Sequence, residues 1–114
     1  MLNKRWCLAL DLKDDPALIA EYEHYHKDEL IWPEIIQGNK ACGIISMDIY
    51  RAGNRLFMIM ETADDFNIAA AFAELAKLPR QKEWSTLMLK FQQSLPFAKE
   101  GEHWVLMDHI FKQS

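Results

Sequence analysis

The chain has 114 residues, half of them apolar and about a quarter charged, with a formal net charge of −4. That length fits a single domain over residues 1–114, burying roughly two thirds of the surface its unfolded form exposes. Thirteen lysines and arginines lie scattered among seventeen acidic residues, so no basic stripe follows a phosphate backbone and nucleic acid is not an expected partner.

The N-terminal stretch MLNKRWCLALDL lacks the long apolar core and small-residue cleavage site of a signal peptide. No later segment has the apolar length that spans a bilayer. The expectation is a cytoplasmic protein with no membrane partner. Within this stretch Arg5 to Leu12 reads as a strand, with Trp6, Leu8, Leu10 and Leu12 alternating with Cys7, Ala9 and Asp11.

Asp15-Pro16 then forms a helix start, with Asp as N-cap and Pro at the first helical position. The predicted helix runs to about Glu29. Trp32-Pro33-Glu34 opens a second short helix that stops near Gly38-Asn39. Cys7 and Cys42 each sit in an apolar run, so both are expected as buried, reduced thiols rather than a disulfide.

Gly43 to Arg51 alternates as a strand, Ala52-Gly53-Asn54 is a turn, and Leu56 to Thr62 is the return strand. Asp64 or Asp65 is the expected cap of an alanine-rich helix from Phe66 to Lys77. Pro79 marks a break, and Trp84, Leu87, Met88 and Phe91 follow at helical spacing until Pro96. His103 to Phe111 reads as a last strand with apolar residues on both sides.

The order is β-α-β-β-α-β, an α+β chain of the ferredoxin-like type: a four-stranded antiparallel sheet with its helices on one face. Apolar residues on the uncovered face predict burial against a second copy. The expectation is a homodimer forming a dimeric α/β barrel-like assembly.

Chemistry concentrates at YEHYHKDELIWPE, residues 22–34. Tyr22 and His26 stand four residues apart on a helix, so both rings project from one face. Imidazole titrates near neutrality, which suits proton transfer on a hydroxyl or ring oxygen, and the phenol can hold a substrate hydroxyl. The plainer alternative packs Tyr22 into the core and leaves His26 half solvated. Trp84 is either core packing or a flat platform for a sugar ring. His24 points to another helix face, and His103 and His109 are too far apart to chelate together. No metal-ligand spacing, phosphate loop, nucleophile elbow or Cys-His pair is present, so the site is expected to need neither metal nor cofactor. Methionines 47, 58, 60 and 107 read as adaptable core filler.

EYEHYH followed by IWPE, the hairpin ending in RLFMIMET, the segment EWSTLM and the closing aromatic-rich strand together resemble the L-rhamnose mutarotase family. The match runs from about Arg5 to Phe111. It implies a small dimeric ferredoxin-like isomerase that interconverts the α and β anomers of a monosaccharide. On that resemblance His26 corresponds to the proton-donating histidine, Tyr22 to a substrate-binding tyrosine and Trp84 to a tryptophan against the sugar. The family usually carries two adjacent tryptophans where this chain has Trp84-Ser85. The strings IYRAGNRLFMIMET and FQQSLPFAKEGEHWVLMDHIF look closer to members assigned to L-fucose, so a 6-deoxy-L-hexose is the implied substrate, L-fucose ahead of L-rhamnose. In the implied chemistry His26 acts as acid at the ring oxygen during opening and as base during closure. The partner of the anomeric hydroxyl is water, Asp48, Tyr50 or Glu61. Two other functions share this fold: a cofactor-free monooxygenase and a non-catalytic sugar-binding module.

Overall fold

The computed structural model describes residues 3–114. Nine elements follow in chain order: β1 (Asn3–Leu12), α1 (Pro16–Tyr25), α2 (Pro33–Ala41), β2 (Ile44–Ala52), β3 (Arg55–Ala63), α3 (Ile68–Leu75), α4 (Gln81–Leu89), β4 (Gln92–Gln93) and β5 (Val105–Leu106). The strands form one antiparallel sheet in the order β2-β3-β1, with β4 and β5 both pairing with β1. This is the expected ferredoxin-like α+β arrangement.

Register fixes which side chains share a face. Leu8 lies opposite Met58 and Leu10 opposite Leu56, while Met58 pairs with Ile49 of β2. Those residues form the face packed against helices, where Tyr22, Ile35, Met88 and Phe91 complete the core. Leu8, Leu10, Leu12, Leu56 and Met60 are each at most 2% exposed, so this face is dry. The opposite face carries Cys7, Ala9, Phe57, Ile59 and Tyr50, and Tyr50 is 59% exposed. One residue, Ile45, bulges out of the β2–β3 ladder.

Asp15 caps α1 as expected, its Oδ1 accepting from the amides of Ala17 and Leu18 at 2.9 and 3.2 Å. The helix stops at Tyr25 instead of Glu29. Its last amides bond three residues back, His26 to Glu23 and Lys27 to His24. Beyond them Lys27, Asp28 and Glu29 are all exposed and have no apolar face to bury. The second helix ends at Ala41, a little past Gly38-Asn39. Asn67, rather than Asp64 or Asp65, caps α3, accepting from the Ala70 amide.

Two other departures come from the C-terminal half. Arg80, in the left-handed region at φ 63°, precedes α4, which stops at Leu89 so that Gln92-Gln93 can pair with Asp11-Leu12. The long final strand shrinks to Val105-Leu106. Met107 donates a last backbone bond to the Cys7 carbonyl; continued pairing in this register would set the tail against Arg5, Lys4 and Asn3, which are exposed and offer no apolar cover. Ile110 and Phe111 are left 92% and 75% exposed. Met58 and Met60 fill the core, whereas Met107 is 42% exposed. Cys7 and Cys42 are free thiols, half-buried rather than buried.

The β2–β3 turn is tied to the start of the helical layer. Leu12 donates its amide to the Asn54 carbonyl at 2.7 Å, and Asn54 Nδ2 donates to the Leu12 carbonyl at 2.9 Å. Among the described residues no helix is long and apolar enough to cross a membrane.

Candidate active site

The end of α1 places the two aromatic groups that the sequence singled out. A continuing helix would give the Tyr22 carbonyl to the His26 amide. Here the His26 imidazole takes that carbonyl instead, Nδ1 to oxygen at 2.7 Å, while the amide turns to Glu23. The side chain thus caps its own helix and loses its rotational freedom. Because the partner is a carbonyl, Nδ1 must carry the hydrogen, and in the neutral ring Nε2 holds the free lone pair.

The Tyr22 ring lies against the imidazole, centroids 4.2 Å apart, and Trp84 meets the imidazole edge-on at 5.3 Å. Burial by these neighbours pushes the His26 pKa below the usual 6.5, against the smaller opposite pull of the Tyr22 carbonyl. Burial also pushes the Tyr22 phenol up, which keeps it a protonated hydrogen-bond donor.

Tyr22 and His26 open onto a cavity of about 180 Å³ lined by Tyr22, Glu23, His26, Ile49, Tyr50, Arg51 and Leu56. That is smaller than the roughly 300–1,000 Å³ of sites for drug-sized ligands, and it suits one small molecule. Helix α1 forms one wall and the end of β2 the other. An ion pair joins the walls: Arg51 Nε donates to Glu23 Oε2 at 3.1 Å, and Arg51 Nη1 donates to the Gly53 carbonyl at 2.8 Å.

Trp84 is not part of this lining. It stands beside His26 in a second aromatic group, where Trp32 meets it at 5.1 Å and the Arg80 guanidinium stacks on Trp32 at 3.8 Å. Tyr25 closes the group on the inner side, edge-on to Trp84. Of the candidates for handling an anomeric hydroxyl, Tyr50 lines the cavity and Asp48 and Glu61 do not. By strand alternation Asp48 and Glu61 share the other sheet face with Tyr50, which alone of the three borders the cavity, at the end of β2.

Glu23 and Arg51 are the lining residues that sequence reasoning passed over. Glu23 carries a usable signal, its i, i+3 spacing to His26. Arg51 carries only its place at a strand end before Gly53. His24 is exposed, His103 is exposed, and His109 Nε2 donates to the Phe111 carbonyl at 2.9 Å. Among the described residues no three His, Cys, Asp or Glu side chains converge as metal ligands.

The chain is similar to known proteins along nearly its whole length. A family model described as L-rhamnose mutarotase matches residues 5–113. A protein of Xanthomonas campestris pv. campestris named L-fucose mutarotase is 41% identical over 114 residues, all of this chain and 91% of that protein. A UPF0734 protein of Dictyostelium discoideum is 38% identical over 112 residues, 95% of this chain and 88% of that one. Among solved structures, an L-rhamnose mutarotase from Formosa agariphila superposes with a TM-score of 0.69 at 20% identity, covering 97% of this chain and 99% of its own. Tetracenomycin F2 cyclase from Streptomyces glaucescens follows at TM-score 0.60 and 15% identity, with 97% of each chain covered. At such identities the two structures speak for the fold alone, and their differing activities illustrate how one fold hosts several chemistries.

Proposed function

The chain belongs to the L-rhamnose mutarotase family, and from that premise we propose that His26, Tyr22 and Trp84 interconvert the α and β anomers of a 6-deoxy-L-hexose. The protein is an isomerase acting on a sugar. L-fucose is the favoured substrate, since the 41% identical relative bears that name, and L-rhamnose is next.

One observation carries the site assignment: the His26 Nδ1–Tyr22 carbonyl bond, which leaves Nε2 to meet a sugar in the cavity. With its pKa lowered, the neutral imidazole begins as a base, so the order differs from an acid-first scheme. Nε2 takes the proton of the anomeric hydroxyl as C1=O1 forms, and the C1–O5 electron pair passes to the ring oxygen. The Nε2 proton then moves to that oxygen, giving the open aldehyde and a neutral His26. Rotation about C1–C2 and the reverse steps close the other anomer. No proton is gained or lost, and one group serves both oxygens. Tyr22, a buried donor, holds a sugar hydroxyl, and the Trp84 indole extends the aromatic wall beside His26 toward the apolar face of the ring.

The working unit in this reading is a cytoplasmic homodimer. What supports the dimer is the second sheet face, where a groove of about 280 Å³ runs between Phe57, Phe97 and Leu106, beside a tail whose Ile110 and Phe111 lack cover. The free thiols of Cys7 and Cys42 agree with a reducing compartment.

Saturation-transfer proton NMR on equilibrated L-fucose, then L-rhamnose, tests the activity directly. Irradiating one anomeric proton should attenuate its partner when catalytic protein is present. His26→Ala should lower that exchange by about 10²–10⁴-fold with the fold intact. Wild-type exchange in that variant would remove His26 from the reaction.

A further inference from the structure

We propose that Arg51, held by Glu23, is the cationic donor that stabilises the negative charge arising on the ring oxygen as the C1–O5 bond breaks. The proposal rests on the mutarotase reading of the His26 cavity and adds to it a second catalytic residue.

The need for such a group follows from the proton route. When His26 Nε2 removes the anomeric proton, electrons flow to the ring oxygen before any proton reaches it. A neutral base leaves that oxygen as an incipient alkoxide. Preorganised donors aimed at developing charge are among the largest single contributions to enzymatic rates.

Arg51 meets the requirement in three ways. It lines the same cavity as His26 and Tyr22. It brings the positive charge and planar donor fork of a guanidinium. Its plane is fixed from two sides, Nε–H on Glu23 Oε2 at 3.1 Å and Nη1–H on the Gly53 carbonyl at 2.8 Å. Guanidinium carries five N–H donors, so these two bonds orient the group and leave three for a ligand.

Spacing supports the pairing with His26. The anomeric oxygen and the ring oxygen are both bonded to C1, so groups acting on them must stand close together. Glu23 lies in the last turn of α1 and His26 caps that turn, its amide donating to the Glu23 carbonyl at 3.1 Å. A guanidinium bonded to Glu23 is therefore carried to within one helical turn of the imidazole. Glu23 is a positioning residue in this scheme. Its carboxylate sets the Arg51 plane and does not touch the sugar.

The remaining cations near the site do not fill this role. Arg80 is stacked on Trp32 and lies beside Glu34 and Glu83, outside the cavity. Lys90 bonds Glu21 at 2.9 Å, also outside it. Arg51 is the cation of the lining.

The test is L-fucose anomer exchange measured over a range of sugar concentrations for Arg51→Gln, Arg51→Lys, Glu23→Gln and His26→Asn. Arg51 is partly open to solvent, which screens its charge, so Arg51→Gln should lower kcat by about 10–100-fold, less than a fully enclosed donor would. KM should change by less than about threefold, because the charge appears only in the transition state. Arg51→Lys keeps the charge without the fork and should recover part of the loss. Glu23→Gln should fall between wild type and Arg51→Gln, again in kcat. If Arg51→Gln fails to fold by circular dichroism, the Lys and Glu23 variants carry the same comparison. A normal kcat in Arg51→Gln with an inactive His26→Asn would overturn the Arg51 proposal and leave the His26 site standing. A raised KM at unchanged kcat would overturn it too, reducing Arg51 to ground-state sugar binding. Full activity in His26→Asn would instead overturn the underlying site.

Discussion

Two histidines in this protein make the same local bond and have opposite surroundings. His26 Nδ1 meets the Tyr22 carbonyl at 2.7 Å, and His109 Nε2 meets the Phe111 carbonyl at 2.9 Å. Around His26 the rings of Tyr22 and Trp84 close in at 4.2 and 5.3 Å. Around His109 the neighbours Ile110 and Phe111 stand almost bare. A backbone tie alone does not make a histidine chemical. Packing on both sides of the ring is what sets His26 apart, and burial is what lowers its pKa.

Exchanging each histidine for asparagine should break the comparison most sharply. His26→Asn should lose at least about 100-fold in L-fucose exchange, whereas His109→Asn should keep its rate within twofold. Equal losses at the two positions would mean that the histidine bonded to Tyr22 has no special role.

The bare apolar residues near His109 have their own consequence. Replacing both Ile110 and Phe111 by Asp should weaken self-association. If a second copy covers them, each buried side chain contributes about 1.5–3 kcal/mol. The dimer dissociation constant should then rise at least about 100-fold by sedimentation velocity. An unchanged constant would take this tail out of the interface.

Acidification sharpens the contrast from the other end. Burial lowers the His26 pKa, so the neutral ring persists to a pH below 6.5. Exchange should hold down to that value and then fall about tenfold per pH unit once the ring is protonated. The sign for stability is the same. The folded state binds fewer protons than the unfolded chain in this window, so His26 costs stability as pH falls through 6.5. A rate midpoint above 6.5 would contradict the packing argument.

The smallest effect is at the far end of the His26 helix. Asp15→Ala removes the bonds to Ala17 and Leu18 and should cost about 1 kcal/mol, a drop of roughly 4 °C in Tm, with kcat preserved. The tail around His109 has no such anchor to lose.

The same contrast explains what the sequence could be made to say. Asp15-Pro16, the alternation in Leu56 to Thr62 and the Gly53 turn are local signals, and the strands and helices they predict are in place. The Tyr22–His26 pair was legible for the same reason, since four residues of helix fix its geometry. Glu23 and Arg51 are 28 residues apart, and only the pairing of β2 against the helical layer brings them together. The overlong last strand failed in the reverse way. Its alternating pattern is real, but alternation does not reveal whether a neighbouring edge offers anything apolar, and Asn3 to Arg5 do not. The early stop of α1 was hidden because it depends on an imidazole outcompeting its own amide for the Tyr22 carbonyl.

The pair of hydrogen bonds between Leu12 and Asn54 bears on how this pocket can be re-engineered. Asn54 lies at the tip of the turn that follows Arg51, and Leu12 lies three residues before the cap of α1. The turn that follows the β2 wall is therefore fastened to the strand end that leads into α1, like the spine of a book. Changes to lining side chains alter what the pocket touches but leave its width set by that spine. A broader specificity, for sugars bulkier at C6, is more accessible through the length of the Ala52-Gly53-Asn54 turn than through the lining itself.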